Sequence, residues 1–394
     1  MLISAARTPI GRFLGGLSAL PAPALGGIAI RAAVERAGIA PDAVEEVIFG
    51  NVVQAGEGQA PARQAQLASG IPASVSAVTI NKMCGSGLKA VMLAAQAIKA
   101  RDADVIVAGG QESMSNAPYY VYGLRGGVKL GDQSLVDGVI KDGLWCASCN
   151  VHMGEHAEYT ARTAGVTRAE QDAFALASHQ KAVAAIEAGK FTDEIVPVSV
   201  PGRKGPTVVA VDEGPRRDAS LESLARLAPA FRPDGSAPAS LSVTAGNASP
   251  LNDGAAALVV TSEAFARAHG LAIMARITGY ATGATEPRDL FFAPVRAVGN
   301  LLAKTGRQLG DYDLIEANEA FAAQALADGA ALRWDWDRVN VHGGAIALGH
   351  PIGASGARLL TTLLYALRDR GAASGIVTLC LGGGDAVALA VERV

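Results

Sequence analysis

The chain has no run of basic residues, no long apolar stretch, few aromatic rings and few cysteines. Its formal net charge is −3 and its pI lies near 6.1. With lysine and arginine scattered, the basic footprint demanded by nucleic acid or an anionic membrane surface is missing. No uninterrupted apolar segment reaches the roughly 18 residues that would cross a bilayer. Met1-Leu2-Ile3-Ser4 passes directly into a strand-like run, which predicts that no targeting peptide precedes the fold. The four cysteines, Cys84, Cys146, Cys149 and Cys380, fit a reducing compartment in which thiols stay free. These absences predict a soluble cytoplasmic protein with no nucleic-acid or membrane partner.

At 394 residues the chain exceeds the size at which one hydrophobic core stops growing, so two or three domains are expected. Half of the residues are hydrophobic and 46 are glycine, but only 5% are aromatic; small side chains suit close packing of helices on sheets. The two ends read as weak copies of one another. In the first, Gly85-Ser86-Gly87 opens a helix predicted over Leu88 to Ala100, followed by a buried strand over Asp104 to Gly110. In the second, Ala354-Ser355-Gly356 opens a helix over Ala357 to Arg368, followed by a strand over Gly375 to Leu381. Repeated βα units imply parallel sheet, because parallel strands need such crossovers. Leu88 to Ala100 is apolar almost all round, apart from Lys89, Gln96 and Lys99, which predicts burial on more than one side. From about Asn116 to Pro250 glycine, proline and charge mix with short helical patterns, and Thr167-Arg168-Ala169-Glu170 reads as a capping box. Asp253 to Val260 then reads as a return to strand.

Reactive side chains sit at the punctuation marks of this pattern. In Asn81-Lys82-Met83-Cys84-Gly85-Ser86-Gly87 a β-prone run, Val75 to Ile80, stops at a thiol and two glycines and becomes a helix. Unpaired N–H groups and the positive end of the helix dipole favour thiolate there, and the glycines admit a substrate to the backbone. The alternative is a buried structural cysteine. Gly349-His350-Pro351-Ile352-Gly353 offers an imidazole in a second glycine loop, and Cys380 ends a strand that runs into Gly382-Gly383-Gly384. Asn318-Glu319-Ala320-Phe321 places a polar amide in an apolar stretch. Two thiols, an imidazole and an amide at strand ends form a plausible set for acyl chemistry through a thioester.

In their order these blocks resemble the thiolase family, and within it the acetyl-CoA C-acetyltransferases. The resemblance also takes in Ser4-Ala5-Ala6-Arg7-Thr8-Pro9-Ile10-Gly11, Arg125-Gly126-Gly127-Val128-Lys129, His152-Met153-Gly154 and Thr244-Ala245-Gly246-Asn247-Ala248-Ser249. It implies an α/β fold of thiolase type, layered α/β/α/β/α, with two duplicated βα halves and an inserted loop domain. The halves are then residues 1–115 with 251–272, and 273–394, and the insert is 116–250. The implied reaction is a reversible Claisen condensation of two acetyl-CoA through an acyl-cysteine. Cys84 is the nucleophile, His350 its base and Cys380 the α-proton base. Backbone N–H groups of Cys84 and Gly382 form one oxyanion hole; His350 and a water on Asn318 form the other. Leu144, His152, Met153, Arg216, Ser223, Phe231, Ala245, Ser249, Ala320 and Phe321 are the implied coenzyme A contacts. Coenzyme A thioesters are the substrates, no cofactor or metal is implied, and the assembly is a homodimer or a homotetramer joined through the loop around Tyr122 to Lys129.

Other features weigh on this reading. Cys146, Cys149, His152 and His156 are all zinc-ligand types, but only two residues separate the cysteine pair from the histidine pair, against about a dozen in the usual site. Packing is expected there instead. Gly343-Gly344 and Gly382-Gly383-Gly384 match neither a dinucleotide nor a P-loop pattern, and both are expected to aim N–H groups at a thioester oxygen. His342 is expected to be structural. The chain departs from the short-chain pattern at Leu290, Phe291 and Phe292, at Asp385, and in an insertion around Asp234 to Ser240. If the Phe291 and Phe292 rings enter the acyl channel they shorten it. Rival readings are a broad-chain degradative thiolase, a carrier-protein 3-oxoacyl synthase and an inactive acyl-CoA-binding relative. The second cysteine argues against the synthase, and the complete reactive set argues against the inactive relative.

Overall fold

An apolar helix with no polar face must be covered on every side, and two such helices dictate the architecture. Ser86–Ala100 buries Leu88, Ala90, Val91, Met92, Ala94 and Ala95, and Ser355–Arg370 is buried without a break from Ser355 to Leu367. They pack against each other at their first turns. A Cβ on Gly87 would lie 2.8 Å from the Ala357 nitrogen, and one on Gly356 would lie 2.5 Å from the Leu88 nitrogen. Only glycine permits that approach. The computed structural model describes residues 1–232 and 240–394.

One sheet lies on each side of the helix pair. The first is 6-stranded and runs Leu2–Arg7, Asn252–Thr261, Val105–Ser113, Glu46–Gly50, Ser76–Ile80, with the short Gly11–Arg12 beside Asn252–Thr261. The second is 4-stranded and runs Arg276–Ala284, Asp385–Glu392, Ser374–Leu381, Leu314–Ala317. Along each, the first two pairings are antiparallel and the third is parallel. The repeat seen in sequence is therefore a repeat of sheet topology. The expectation of parallel sheet holds only for the pairings bridged by βα crossovers; the closing strand of each half enters antiparallel. Helices Ala22–Ala37 and Pro61–Ser69 cover the outside of the first sheet, and Ala293–Thr305 covers the outside of the second. The layers run α/β/α/β/α as expected. Among the described residues no helix is long and apolar enough to cross a membrane.

The intervening stretch packs on this body. Thr167 caps Arg168–Glu187 through the predicted capping box. The Arg7 guanidinium, fully buried, ties the first strand to this region. It donates to Glu194 Oε1 at 2.6 Å and, as a fork, to Asp212 Oδ1 at 2.7 Å and Oδ2 at 2.9 Å. Removing one partner of a buried ion cluster strands the others in low dielectric. Arg7→Leu is therefore expected to lower stability by about 3–5 kcal/mol at neutral pH. The deficit should shrink in acid as the stranded Glu194 carboxyl, already raised by burial, takes up a proton. Denaturant unfolding curves that match wild type at pH 7 would contradict this role for Arg7.

Candidate active site

The thiol of Cys84 stands at the mouth of the first central helix. After strand Ser76–Ile80 the chain turns through Met83, whose φ of 46° lies in the left-handed region. A side chain rarely adopts that conformation unless its surroundings enforce it. Here Ser86 closes the turn: its hydroxyl accepts from the Lys82 N–H at 2.8 Å and donates to the Met83 carbonyl at 2.7 Å. Backbone N–H groups of Gly382 and of Cys84 itself reach the sulfur and favour its thiolate. Burial outweighs them and pushes the thiol up to about 12. The N–H groups act in the direction expected from the sequence, and burial opposes them with the larger effect.

His350 faces it from the second half. Its Nδ1 lies 2.6 Å from Ser355 Oγ, and that hydroxyl donates to the Pro351 carbonyl at 2.8 Å. With the hydroxyl hydrogen so engaged, Nδ1 carries the proton that bonds Ser355, and Nε2 presents a lone pair. Asn318 Nδ2 is 3.4 Å from Nε2, while Asn318 Oδ1 is buried without a hydrogen-bond partner among the described residues. The His350 N–H donates to Asn252 Oδ1 at 2.8 Å. Glu112, buried, accepts from the N–H groups of Gly353 at 2.8 Å and of Val52 and Val53 at 3.1 Å, and so pins the histidine loop to the first sheet. Burial, and then the charge of Arg358, lower the imidazole to about 3.

Cys380, at the end of strand Ser374–Leu381, is buried, and burial drives its thiol well above the ordinary range, with the neighbouring Cys84 adding to the rise. A cavity of about 550 Å³ joins Cys84, His350, Cys380 and Gly382. Its walls hold Leu144, His152, Met153, Arg216, Phe231, Ala245, Ser249, Ala320 and Phe321. Ser223 lies in an adjoining cavity of about 380 Å³ that shares Arg216 and Ala245. Asn318 is not among the residues lining the larger cavity; it meets His350 at Nε2. Every candidate residue is thus in one region.

Two family models match the chain, the thiolase N-terminal domain over residues 1–264 and the thiolase C-terminal domain over residues 271–393. The chain belongs to the thiolase family. It is 55% identical to the acetyl-CoA acetyltransferase of Pseudomonas aeruginosa, over 100% of this chain and 99% of that one. It is 53% identical to the acetyl-CoA acetyltransferase of Cupriavidus necator over the same shares. The crystal structure of the Bacillus anthracis acetyl-CoA acetyltransferase superposes with a TM-score of 0.96 at 43% identity, covering 100% of this chain and 98% of that one.

Several features of this thiolase depart from the sequence reading. Gly343-Gly344 is not on the cavity wall: a Cβ on Gly343 would meet the Ser178 carbonyl at 2.6 Å, and the Gly344 N–H donates to Ser178 Oγ at 3.0 Å. Those glycines admit helix Arg168–Glu187. Phe291 lines the cavity, edge-on to Phe321 at 5.3 Å, but Phe292 does not. His342 is buried edge-on to Phe191, away from the cavity. Asp385 pairs with Lys82 and ties the second sheet to the Cys84 turn. His152 splits from the other zinc-type side chains, its Nδ1 accepting from the Gly154 N–H as the cap of helix Met153–Ala164. Cys146, Cys149 and His156 do come together, with ligand atoms within 4.8 Å of one another, against the argument from spacing. Residues 234–239 of the insertion lie outside the described residues. Glu112, Asn252 and Ser355 were missed, although a run of Gln111-Glu112-Ser113 at the end of an apolar strand was a visible signal.

A neutral His350 has a consequence for acid stability. The folded state resists protonation down to about 3, whereas the unfolded chain takes up that proton at about 6.5. The contribution is complete above the unfolded value and is lost as pH falls towards the folded one. Nitrogen-15 NMR of the imidazole should show the neutral form, with Nδ1 protonated, down to about pH 5. A midpoint near the ordinary histidine value would contradict the arrangement.

Proposed function

We propose that this thiolase condenses two acetyl-CoA to acetoacetyl-CoA and free coenzyme A, and runs the reverse thiolysis, through an acyl group on Cys84. The observation that carries the reading is the single cavity holding two thiols and an imidazole, with the Gly382 N–H directed at the Cys84 sulfur. The acetyl-CoA acetyltransferases of similar sequence support the substrate.

At rest the Cys84–His350 pair is neutral, so the proton moves as the sulfur attacks the thioester. His350 Nε2, whose lone pair is engaged by Asn318 Nδ2 at a long 3.4 Å, accepts it. The N–H groups of Cys84 and Gly382 then lie where the acyl oxygen gains charge. Cys380 starts as a thiol. It must lose a proton before it can act as a base, and the departing coenzyme A sulfur is the acceptor at hand. The resulting thiolate removes the α-proton of a second acetyl-CoA. The enolate oxygen is met by the protonated Nε2 of His350 and by a water on the unpartnered Asn318 Oδ1. The carbanion attacks the acyl carbon, and the Cys84 sulfur leaves with the proton returned by His350. Cys380 holds the α-proton, so both thiols are restored. Hydrogen-bond donors supply the charge stabilisation, and the reading requires no resident cofactor.

Arg216, at the junction of the two cavities, is assigned to the anionic end of coenzyme A, with Ser223 beyond it and the stretch 116–250 as the cover. A second copy of the chain fits the outer edge of strand Ser76–Ile80, where Val78 is 41% exposed, and further copies fit the loop exposing Tyr122, Leu124 and Leu130.

Brief incubation with acetyl-CoA followed by an acid quench should acetylate Cys84, as read by peptide mass spectrometry. Cys380→Ala should still form that acyl-enzyme, yet lose condensation by roughly 100-fold or more, the scale of a general base. Near wild-type condensation by Cys380→Ala would remove that cysteine from the mechanism. Acetyl on Cys146 or Cys149 would remove Cys84.

Chain length follows from Phe291, packed against Phe321 on the wall near Cys380. One methylene in a fitted apolar pocket is worth about 1–3 kcal/mol, so Phe291→Val should raise kcat/KM for 3-oxohexanoyl-CoA relative to acetoacetyl-CoA by roughly tenfold or more. Phe292→Gly should leave the ratio unchanged, because that ring lies off the cavity. A wild-type enzyme that cleaves both substrates equally well would favour the broad-chain reading.

A further inference from the structure

Among the described residues, Cys146, Cys149 and His156 form a cluster that the acyl chemistry leaves unused. The hairpin of strands Trp145–Cys146 and Val151–His152 folds the two cysteines over the start of helix Met153–Ala164. Asn150 makes this turn possible by adopting a φ of 55°. His156, one turn into the helix, is only 3% exposed, and its Nε2 has no hydrogen-bond partner among the described residues. The rest of its ring is held by the backbone carbonyl of Arg288. A ring that donates from Nδ1 to a carbonyl keeps a lone pair on Nε2, the tautomer a metal ligand needs. A ring nitrogen of His156 lies within 4.8 Å of both sulfurs, and Nε2 is the nitrogen left without a partner among the described residues. A buried acceptor with no donor is costly, and no side chain among the described residues relieves it.

We propose that Cys146, Cys149 and His156 bind a divalent transition metal of zinc type. Two sulfurs and one imidazole nitrogen select a borderline-soft ion over magnesium or calcium, which take oxygen ligands. Zinc bonds of about 2.3 Å to sulfur and 2.0 Å to nitrogen, arranged tetrahedrally, hold ligand atoms about 3.5–3.8 Å apart. The three atoms therefore close by about 1 Å on binding, which rotation of the half-buried Cys149 in its turn allows. The Cys149 N–H already donates to Cys146 Sγ at 3.3 Å, a contact that strengthens when the sulfur is a thiolate. Binding releases two thiol protons to solvent, and the two thiolates neutralise the dication. Arg288, whose charge already favours the Cys149 thiolate, tolerates a site with no net charge. Cys146 also lines an open cavity of about 560 Å³ with Trp145 and Ser148, from which water can complete the coordination. A bound ion would clamp the hairpin whose flanking residues Leu144, His152 and Met153 line the substrate cavity.

The test uses the full-length, reduced and chelator-stripped enzyme titrated with cobalt(II). One equivalent per chain should give tetrahedral visible bands and a thiolate-to-cobalt charge-transfer band, both erased by added zinc. Cys149→Ser and His156→Gln should each weaken binding by tenfold or more and reduce the charge-transfer intensity. Cys84→Ser should leave the titration unchanged, since the active-site thiol is elsewhere. Zinc should also raise the Tm of wild type but not of Cys149→Ser, whose side chain lies in a turn and whose fold is expected to survive. Absence of charge transfer in wild type would overturn the proposal. So would bands that persist in Cys149→Ser and vanish in Cys84→Ser. Neither result bears on acyl transfer at Cys84, which the acetylation experiment reads separately.

Discussion

The contact between Gly87 and Gly356 sets the geometry of everything above it. Both reactive loops end at the first turn of a central helix, and the two helices can share one layer only because each presents a glycine to the other's backbone. A methyl group at either site would push the helices apart at their N-terminal ends. The displacement would appear directly between Cys84 and His350, which lie three and six residues before these glycines. The arrangement also explains why the residues come from remote parts of the chain: each half contributes one helix mouth. Two neighbouring strands of the second sheet, Leu314–Ala317 and Ser374–Leu381, deliver Asn318 and Cys380 to the same level, and Glu112 and Asn252 brace the histidine loop against the first sheet.

Much of this was legible in the sequence, for a local reason. Thiol, glycine and small polar residues interrupt apolar runs at the points where strands stop and helices begin, so element order and reactive positions could be read together. The central helices started two residues earlier than predicted, at Ser86 and Ser355, because those serines close the turn with their own hydroxyls. What could not be read depends on contacts made across the fold. Nothing local distinguishes Gly343-Gly344, which makes room for a helix, from Gly382, which faces the thiol. Phe291 and Phe292 are neighbours in a 3₁₀ turn, and only the packing of Phe321 decides which ring enters the cavity. The approach of His156 to the cysteines depends on a hairpin turn through Asn150, which spacing arguments based on separated zinc-ligand pairs do not capture.

Protonation is the property that the local pattern misjudged most. A helix terminus favours a thiolate by a modest amount, typically below about 1 kcal/mol at exposed sites. Burying that thiol in a site closed by two sheets costs more, and Cys84 is pushed up rather than down. The same burial keeps His350 neutral. A neutral thiol beside a neutral imidazole suits a site that must exclude water from a thioester, because no charge needs solvation until substrate brings its own polar groups.

Beneath His350 lies a group that sharpens this balance. Arg358 is buried, its guanidinium nitrogens make no hydrogen bond among the described residues, and its nearest carboxylate, Glu316, stands 3.8 Å away. Glu316 is itself raised to about 8 by burial, so it offsets the positive charge only in part near neutral pH. An imidazole that gains a proton above such a charge becomes a strong acid. In the proposed reaction it takes the proton of Cys84 as negative charge develops on the substrate, keeps it through the acyl-enzyme beside the Cys380 thiolate, and returns it when the sulfur leaves. Arg358 touches no substrate in this arrangement. Its charge adds to burial in lowering the imidazole, and so opposes a thiolate–imidazolium pair in the resting enzyme.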